Sequence, residues 1–274
     1  MKDKYSAVWV SHSSMSDYLK CPRAYFLRNV YRDPKTHHKI SLMAPALALG
    51  QAVHEVIESL STLPIEKRFE DSLLVKFDRV WEKVSGKKGG FADADQEETY
   101  KSRGREMIKR VLDNPGPLKN KAIKIRQELP YYWLSEEENI ILCGKIDWLE
   151  YVESTDSVRI VDFKTGKFDE DPDSLQLPIY YLLASHCQNR PVSGVMYWYI
   201  NRDTEPQVQD LPDLKKSEER VMEIAKRVKL ARTLERFVCK SKDGCNACRP
   251  LEAIVLGKAT FVGLNDFGQD LYVL

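Results

Sequence analysis

The stretch IVDFKTG, residues 160–166, places an aspartate and a lysine on a short strand that is otherwise apolar. Side chains alternate between the two faces of a strand, so Asp162 and Lys164 point the same way and lie side by side. The apolar residues around them indicate that this strand lies within a sheet rather than at its edge. Two charges in such a place cost free energy. They form either an ion pair on a solvated face or a functional pair, and the neighbouring sequence distinguishes the two.

The composition is that of a soluble protein without a marked charge. The 274 residues are 43% hydrophobic, enough for one large domain or a domain with a helical appendage. The net charge of +1 indicates no particular partner. No apolar run approaches the roughly 18 residues that a membrane span needs, and the first residues do not resemble a secretory signal. We therefore expect a cytoplasmic protein, in which the six cysteines are thiols or metal ligands rather than disulfides.

The first half of the chain shows helical periodicity. Helices are predicted at residues 13–32, 45–62, 66–84 and 95–113, with loops at 85–90 and 113–117. A serine cap opens the first helix, and Pro22 predicts a break near Cys21.

From residue 122 the period changes to that of strands. Three consecutive strands are predicted within residues 122–134, 139–152 and 157–166, joined by short turns as an antiparallel meander. A helix at 174–187, a strand at 193–201 and a long basic helix at 214–236 follow. The expected architecture is one mixed α/β domain over residues 1–274. It comprises a helical segment at about 11–120, a core at 121–212, and a C-terminal helix with clustered cysteines at 213–274.

A second carboxylate is predicted to approach Asp162. Asp147 lies in the middle of an apolar run, and pairing through the turn near 153–157 brings it toward Asp162 across the sheet. Facing carboxylates repel unless a cation lies between them. Oxygen ligands of this kind suit Mg²⁺ or Mn²⁺. Lys164 could then orient a metal-bound water and stabilise the charge that develops on a phosphate.

The motifs around these residues resemble those of a known nuclease family. GKID at 144–147, DFKTG at 162–166 and QLPIY at 176–180 are similar to the G-x-x-D, (D/E)-x-K and Q-x-x-x-Y motifs of the PD-(D/E)XK superfamily, in its RecB-like branch. The stretch SSMSDYLKCPRAYFLR at 13–28 resembles the usual opening helix of that branch. The resemblance extends from about residue 11 to about 250.

The resemblance implies a fold and a set of site residues. The fold is a restriction-endonuclease-like core with a mixed central sheet flanked by helices. The implied catalytic residues are Asp147, Asp162, Lys164, Gln176 and Tyr180. The implied metal ligands are His54, Asp147, Asp162 and the backbone of Phe163.

Several of these residues have ordinary structural interpretations as well. Glu58, one turn after His54, is either a partner of the imidazole or a solvated glutamate. Glu128 is a weaker candidate for the metal site, on the strand before Asp147. Gln176 and Tyr180 lie one turn apart on one face of a helix. They either support the active site or belong to an ordinary amphipathic helix.

The cysteines form a second candidate site. Cys239, Cys245 and Cys248 are clustered, and Cys21 lies far away beside Pro22. Some RecB-like nucleases, of the AddB type and of CRISPR adaptation, join a late cysteine cluster to one early cysteine around a [4Fe–4S] cluster. Here the lone cysteine precedes the close pair, which differs from the usual order. Zinc would be satisfied by the same four thiolates, and free thiols are the remaining alternative. Cys143 and Cys187 lie in apolar stretches and are expected in the core.

The resemblance implies metal-dependent hydrolysis of DNA by an exonuclease that acts on ends or single strands, in recombination, repair or CRISPR spacer processing. A structure-specific endonuclease and a catalytically silent DNA-binding scaffold are the alternatives. Phosphate contacts are expected from basic residues at 20–32 and 215–236. No G-x-x-x-x-G-K-[ST] loop occurs in the sequence, so unwinding would require a partner, such as a helicase or a CRISPR adaptation protein.

Overall fold

The computed structural model describes residues 3–274 and has a mixed α/β architecture. The helices are α1 (His12–Lys20), α2 (Pro22–Tyr25), α3 (Pro45–Ser59), α4 (Leu73–Trp81), α5 (Ala94–Asp113), α6 (Gln176–Cys187), α7 (Leu214–Thr233) and α8 (Arg249–Val255). The strands are β1 (Val8–Val10), β2 (Ile40–Leu42), β3 (Tyr131–Ser135), β4 (Ile140–Cys143), β5 (Trp148–Val152), β6 (Ser157–Phe163), β7 (Val192–Trp198), β8 (Gln207–Gln209), β9 (Thr260–Leu264) and β10 (Asp270–Val273).

The strand that ends in Asp162 and Phe163 lies inside a mixed sheet of order β5-β6-β7-β8. β6 is antiparallel to β5 and parallel to β7. Its side chains alternate between two cores. Val161 and Phe163 pack with α3, α4 and α5, whereas Ile160 packs with α6 and α7. Each large apolar side chain that is fully buried in these cores contributes about 1.5–3 kcal/mol. The predicted mixed sheet flanked by helices is therefore confirmed.

The predicted three-stranded meander is wrong in its connectivity. The run 139–152 is not one strand but two, because β4 lies in a sheet of order β1-β4-β3 and β5 pairs with β6. The first predicted strand is shortened to β3, and residues 122–130 retain only an isolated bridge between Ala122 and Glu150. The stretches IILC at 140–143 and WL at 148–149 are both apolar, so the sequence pattern indicates strands on both sides of Gly144 but does not reveal that they lie in different sheets.

The helices of the first segment follow the prediction in part. α3 and α5 begin within one residue of the predicted positions, whereas the helix predicted at 66–84 is reduced to α4, with a 3₁₀ turn before it and another after it. Ser11 caps α1 through a reciprocal pair of hydrogen bonds with Ser14. Cys21 is extended, with φ −165° and ψ 115°, between α1 and α2, and Pro22 begins the second helix. The predicted break at Cys21 is confirmed. A π-helical turn, Phe26–Val30, follows.

The C-terminal residues form an element that the sequence did not predict. β9 and β10 make a hairpin, and β10 also pairs in parallel with β2 from the N-terminal segment. A third core beside this sheet contains Cys21, Ala24, Leu27, Ile40, Cys239, Cys248, Leu251 and Ile254. Within residues 3–274, none of the helices combines the length and the apolar composition that crossing a bilayer requires.

Candidate active site

Asp162 is a charged side chain in the interior, with 1% of its surface exposed. Lys164 Nζ lies 3.0 Å from Asp162 Oδ2, so the two residues of the opening stretch are in contact. The ammonium also pairs with Glu170 Oε2 at 2.7 Å and lies 4.9 Å from the centre of the Tyr197 ring. Burial alone would lower the pKa of Lys164, but Asp162 and Glu170 outweigh it and raise that pKa, so the side chain stays charged at neutral pH.

Asp147 lies directly before β5, and the register Trp148 to Val161 places it opposite Asp162. Its Oδ2 accepts a hydrogen bond of 3.0 Å from the backbone N–H of Phe163. The side chain of Asp147 thus accepts a hydrogen bond from β6 just beyond the end of the backbone ladder between β5 and β6. Burial raises the pKa of both carboxyl groups, and the charge of Asp147 adds to the effect on Asp162, whose pKa rises to about 7.

His54 on α3 joins the carboxylates from the side. Its Nδ1 lies 3.4 Å from Asp147 Oδ2 and 3.5 Å from Glu58 Oε1. Burial alone would lower the pKa of His54, but Asp147 and Glu58 together raise it to about 9. The Glu58 side chain is 18% exposed and also pairs with Lys145. Of the two interpretations of Glu58, the geometry fits the partner of the imidazole rather than a solvated glutamate.

The donor set suits a hard divalent cation. Ligand atoms of His54, Glu58 and Asp147 all lie within 4.8 Å of one another, a spacing that could hold a metal ion. Asp162 lies outside this group, but its Oδ2 is buried without a well-aligned hydrogen bond, although Lys164 is near. The Lys164 ammonium approaches this oxygen at 3.0 Å, and a carboxylate oxygen has a second lone pair that a metal ion could take. Carboxylate oxygens with an imidazole fit Mg²⁺ or Mn²⁺.

Gln176 connects the charged pair to α6. Its side-chain amide donates to Asp162 Oδ1 at 2.8 Å and to the Tyr180 hydroxyl at 3.3 Å, and its oxygen accepts a hydrogen bond from Lys164. Both Gln176 and Tyr180 are buried, and burial raises the pKa of Tyr180 well above its usual value. These two side chains therefore face Asp162, which an ordinary amphipathic helix would not require.

Two residues at this site were not identified from the sequence. Glu170 lies in the loop after β6, where its backbone N–H donates to the Tyr199 hydroxyl at 2.9 Å. No motif marks Glu170, because its contact with Lys164 arises from the path of the loop. His12 lies beside the same pair. Burial lowers the pKa of His12 to about 4, while the charges of Glu170 and Lys164 act on it in opposite directions.

Other predicted residues lie elsewhere. Glu128 is exposed and is not on a strand, since β3 begins only at Tyr131, so its predicted position was wrong. It lines the wide cleft that opens beside His54 and Asp147, along with residues of other segments. The N–H of Phe163 donates to Asp147, whereas the role of its carbonyl as a metal ligand stays a prediction.

The basic segments are partly neutralised within the protein. Arg23 and Arg28 each pair with an acidic residue, at 2.8 and 3.1 Å. On α7, Lys226 and Lys229 pair with the same Glu138, at 3.0 and 2.8 Å. Much of the predicted charge on these surfaces is therefore balanced locally, and exposed pairs of this kind add little stability.

The four predicted cysteines converge on one point despite their separation in sequence. The sulfur atoms of Cys21, Cys239, Cys245 and Cys248 all lie within 4.8 Å of one another, and all four are free thiols. Backbone N–H groups of Cys248 and Ala247 lower the pKa of Cys245 to about 6. This donor set fits a metal or cluster that binds four thiolates.

The two remaining cysteines are not part of that group. Cys143 is buried and Cys187 is half-buried, and both are free, as expected of core residues.

The comparison with protein families agrees with this geometry. A family model described as the PD-(D/E)XK nuclease superfamily matches residues 9–251. The chain therefore belongs to the PD-(D/E)XK nuclease superfamily, and this membership indicates metal-dependent nuclease activity. No curated protein sequence matches the chain.

Proposed function

We propose that this protein is a Mg²⁺- or Mn²⁺-dependent deoxyribonuclease of the RecB-like branch, which degrades DNA from ends or as single strands. The observation that carries the proposal is the convergence of Asp147, Asp162 and Lys164 on one face of the sheet, with His54 at its side. A silent scaffold would not need the buried carboxylate of Asp162 beside the largely buried charges of Asp147 and Lys164, because such charges destabilise a fold unless they have a use.

The residues of the site would have different roles in the reaction. Asp147, Asp162 and His54 would hold the divalent ion, with the Phe163 backbone as a further ligand. When bound, the ion supplies Lewis-acid activation of the phosphate and of the attacking water. Lys164 would donate a hydrogen bond to a phosphate oxygen and stabilise the negative charge that develops there.

Gln176 would keep the two charged groups in register. It holds Asp162 with its amide N–H and Lys164 with its oxygen, so one side chain fixes both. The hydroxyl of Tyr180 supports Gln176 from behind. Preorganised contacts of this kind reduce the reorganisation that the reaction must drive.

Labelled linear and circular DNA, single-stranded and duplex, tests the proposal with Mg²⁺, with Mn²⁺ and with EDTA. Asp162→Asn should abolish cleavage, whereas Asp210→Asn, at an exposed aspartate, should cleave like the parent. Full cleavage by Asp162→Asn, or in EDTA, contradicts the proposed role of the carboxylates. Loss of linear DNA with intact circles supports an exonuclease, and nicked or cut closed circles support the endonuclease alternative.

We propose further that the four cysteines hold a [4Fe–4S] cluster, which joins the N-terminal helices to the C-terminal segment. The cluster is proposed on the family resemblance, and zinc is the alternative that the spacing of the sulfurs fits better. In a tetrahedral zinc site the sulfurs lie about 3.8 Å apart, and Cys245 and Cys248 have sulfurs 3.9 Å apart. A four-iron cluster is wider, so the segment at 239–248 would have to open slightly. Iron and zinc analysis of protein purified without oxygen distinguishes the two.

The biological setting is proposed on the family resemblance alone. We place the protein in the cytoplasm, in recombination, repair or CRISPR spacer processing. Unwinding would come from a helicase or from a CRISPR adaptation protein that acts with it. Co-purification of a tagged chain from its own cells, followed by identification of bound proteins, tests this placement.

A further inference from the structure

A cleft of about 880 Å³ opens beside the carboxylates of the candidate active site. His54, Glu58 and Asp147 line it at one place, and the irregular segment 122–130 lines it at another. A further part of its wall is the turn of the β9–β10 hairpin, through Asn265, Asp266 and Phe267. The hairpin lies beyond the part of the chain that matches the family. The hairpin turn thus shapes the approach to the carboxylates from outside the matched residues.

The tip of the hairpin holds an aromatic side chain out of the protein. Phe267 is 85% exposed although it lines the cleft. The turn beneath it is firmly bonded, because Asn265 Oδ1 accepts hydrogen bonds of 3.0 Å from the backbone N–H groups of both Phe267 and Gln269. Gly268 adopts φ +66°, a left-handed conformation in which a glycine is unstrained. The exposure of the phenyl ring is thus part of an ordered turn.

The hairpin itself is fixed to the body of the protein. Asp270, at the start of β10, is 1% exposed and accepts a hydrogen bond of 2.5 Å from the Thr36 hydroxyl. Its other oxygen lies 2.9 Å from His38 Nδ1. Pairing of β10 with β2 adds a ladder of backbone hydrogen bonds. An exposed aromatic on an anchored turn loses little conformational entropy when it contacts a ligand.

The wall of the cleft carries both signs of charge. Lys83, Lys124 and Lys145 line it, and Lys83 pairs with Glu55 at 2.5 Å. Such a surface can hold phosphates through its lysines, while its carboxylates limit purely electrostatic attraction. Binding at this cleft therefore needs a contribution other than charge, which a planar apolar ring can supply.

We infer that this cleft binds a single strand of DNA and that Phe267 stacks on one of its bases. The inference rests on the proposed function, and it specifies the substrate as unpaired DNA. Inside a duplex the faces of the bases are covered by their neighbours, so only the terminal pairs leave a face free for an aromatic ring. In a single strand every base has a face on which an aromatic side chain can stack, whatever the sequence. The hairpin would therefore favour unpaired DNA over duplex without reading bases.

Fluorescence anisotropy with labelled DNA in EDTA tests the inference without cleavage. The probes are an oligothymidine strand, a duplex of the same length, and a strand of the same length without bases. Phe267→Ala should raise the Kd for oligothymidine by roughly 10-fold, in the range that stacking aromatics show on substitution, and leave the Kd for duplex unchanged. Phe267→Trp should restore single-strand binding. Tyr5→Ala, at an aromatic that is 86% exposed and outside the cleft, is the matched control.

The strand without bases separates stacking from a change in the fold. It offers phosphates but no base faces, so the parent and Phe267→Ala should bind it equally. The inference would be overturned if the parent and Phe267→Ala had equal Kd values for oligothymidine. An equal loss of affinity for single strands and for duplex would overturn it as well. If the parent cleaves DNA while Phe267→Ala binds single strands normally, the proposed nuclease stands and only this inference fails. If the parent cleaves no DNA under any condition, the proposed function fails, and the binding measurements in EDTA decide the inference separately.

Discussion

Lys164→Met offers a sharp test of the candidate site, because it removes the ammonium and keeps most of the volume. The side chain of Lys164 is 16% exposed and contacts Asp162, Glu170 and Gln176. Removing one partner of a buried ion pair costs about 3–5 kcal/mol when the other charge stays unpaired. Asp162 can avoid most of that cost by taking up a proton, since its pKa is already about 7. We therefore expect a stability loss of about 1–3 kcal/mol at pH 6 and a larger loss at pH 8.

The direction of this pH dependence follows from the carboxyl group. The folded-state pKa of Asp162 lies above its unfolded value, so its stabilising contribution is present at low pH and is lost as the pH rises through about 7. Without Lys164 the pKa of Asp162 rises further, and the loss extends to higher pH. Urea unfolding of metal-free protein at pH 6 and pH 8 measures the effect. Lys67→Met, at an exposed lysine, is the matched control.

Cleavage by Lys164→Met should fall by about 10²–10³-fold, as when a preorganised donor is removed from a developing oxyanion. Metal affinity should not fall, because loss of a nearby cation favours binding of another. Isothermal titration with Mn²⁺ and single-turnover cleavage separate the two effects. A variant that binds metal poorly, and cleaves like the parent once it is saturated, would refute the reasoning.

Three further perturbations test other parts of the structure. His54→Asn should flatten the pH dependence of the stability of metal-free protein between pH 6.5 and about 9. The folded-state pKa of His54 is raised to about 9, so its contribution, at most about 3 kcal/mol, is lost as the pH rises through that value. An unchanged pH profile in urea unfolding counts against the contact with Asp147. Cys21→Ala should release as much bound metal as Cys248→Ala and lower the Tm equally, whereas Cys187→Ala should keep the metal. Retention of metal by Cys21→Ala would exclude Cys21 from the site. Arg68→Met should lower the free energy of unfolding by about 2–5 kcal/mol, since Arg68 is 3% exposed and donates to the carbonyls of Leu118 and Asn120, both at 2.6 Å. A stability within about 0.5 kcal/mol of the parent, the range typical of surface changes, would show that those carbonyls find other donors.

Local features of the fold could be predicted because their causes are local. Pro22 interrupts a helix by its own geometry, and β6 has an apolar run whose period is that of a strand. The division between β4 and β5 could not be predicted in this way. It depends on which strands lie beside them, and Gly144 gives no sign that the chain changes sheets there. The C-terminal hairpin is a different case. Its two strands flank a local turn at residues 265–269, which the sequence could have indicated, whereas the pairing of β10 with β2 depends on a strand far away in sequence.

In the candidate site, too, some residues could be predicted from the sequence and others could not. Asp147, Asp162 and Lys164 could be named from the strand pattern, and Gln176 from the resemblance of its motif to that of the family. Glu170 could not, since only the path of its loop brings it to Lys164. Glu128 was misplaced because the strand expected there is absent among the described residues, which leaves the side chain exposed at the cleft.

The long-range closure of the β2-β10-β9 sheet has a consequence for biosynthesis. Thr36 and Asp270 are hydrogen-bonded across 234 residues, so β2 lacks its strand partner until β10 has been synthesised. His54, Asp147, Asp162 and Lys164 emerge well before that point, and the strands β5, β6 and β7 can pair without the hairpin. Since chains emerge from the N-terminus, a nascent chain can assemble the carboxylates and the lysine first. The part of the cleft wall that the hairpin forms is added only after residues 260–273 have emerged.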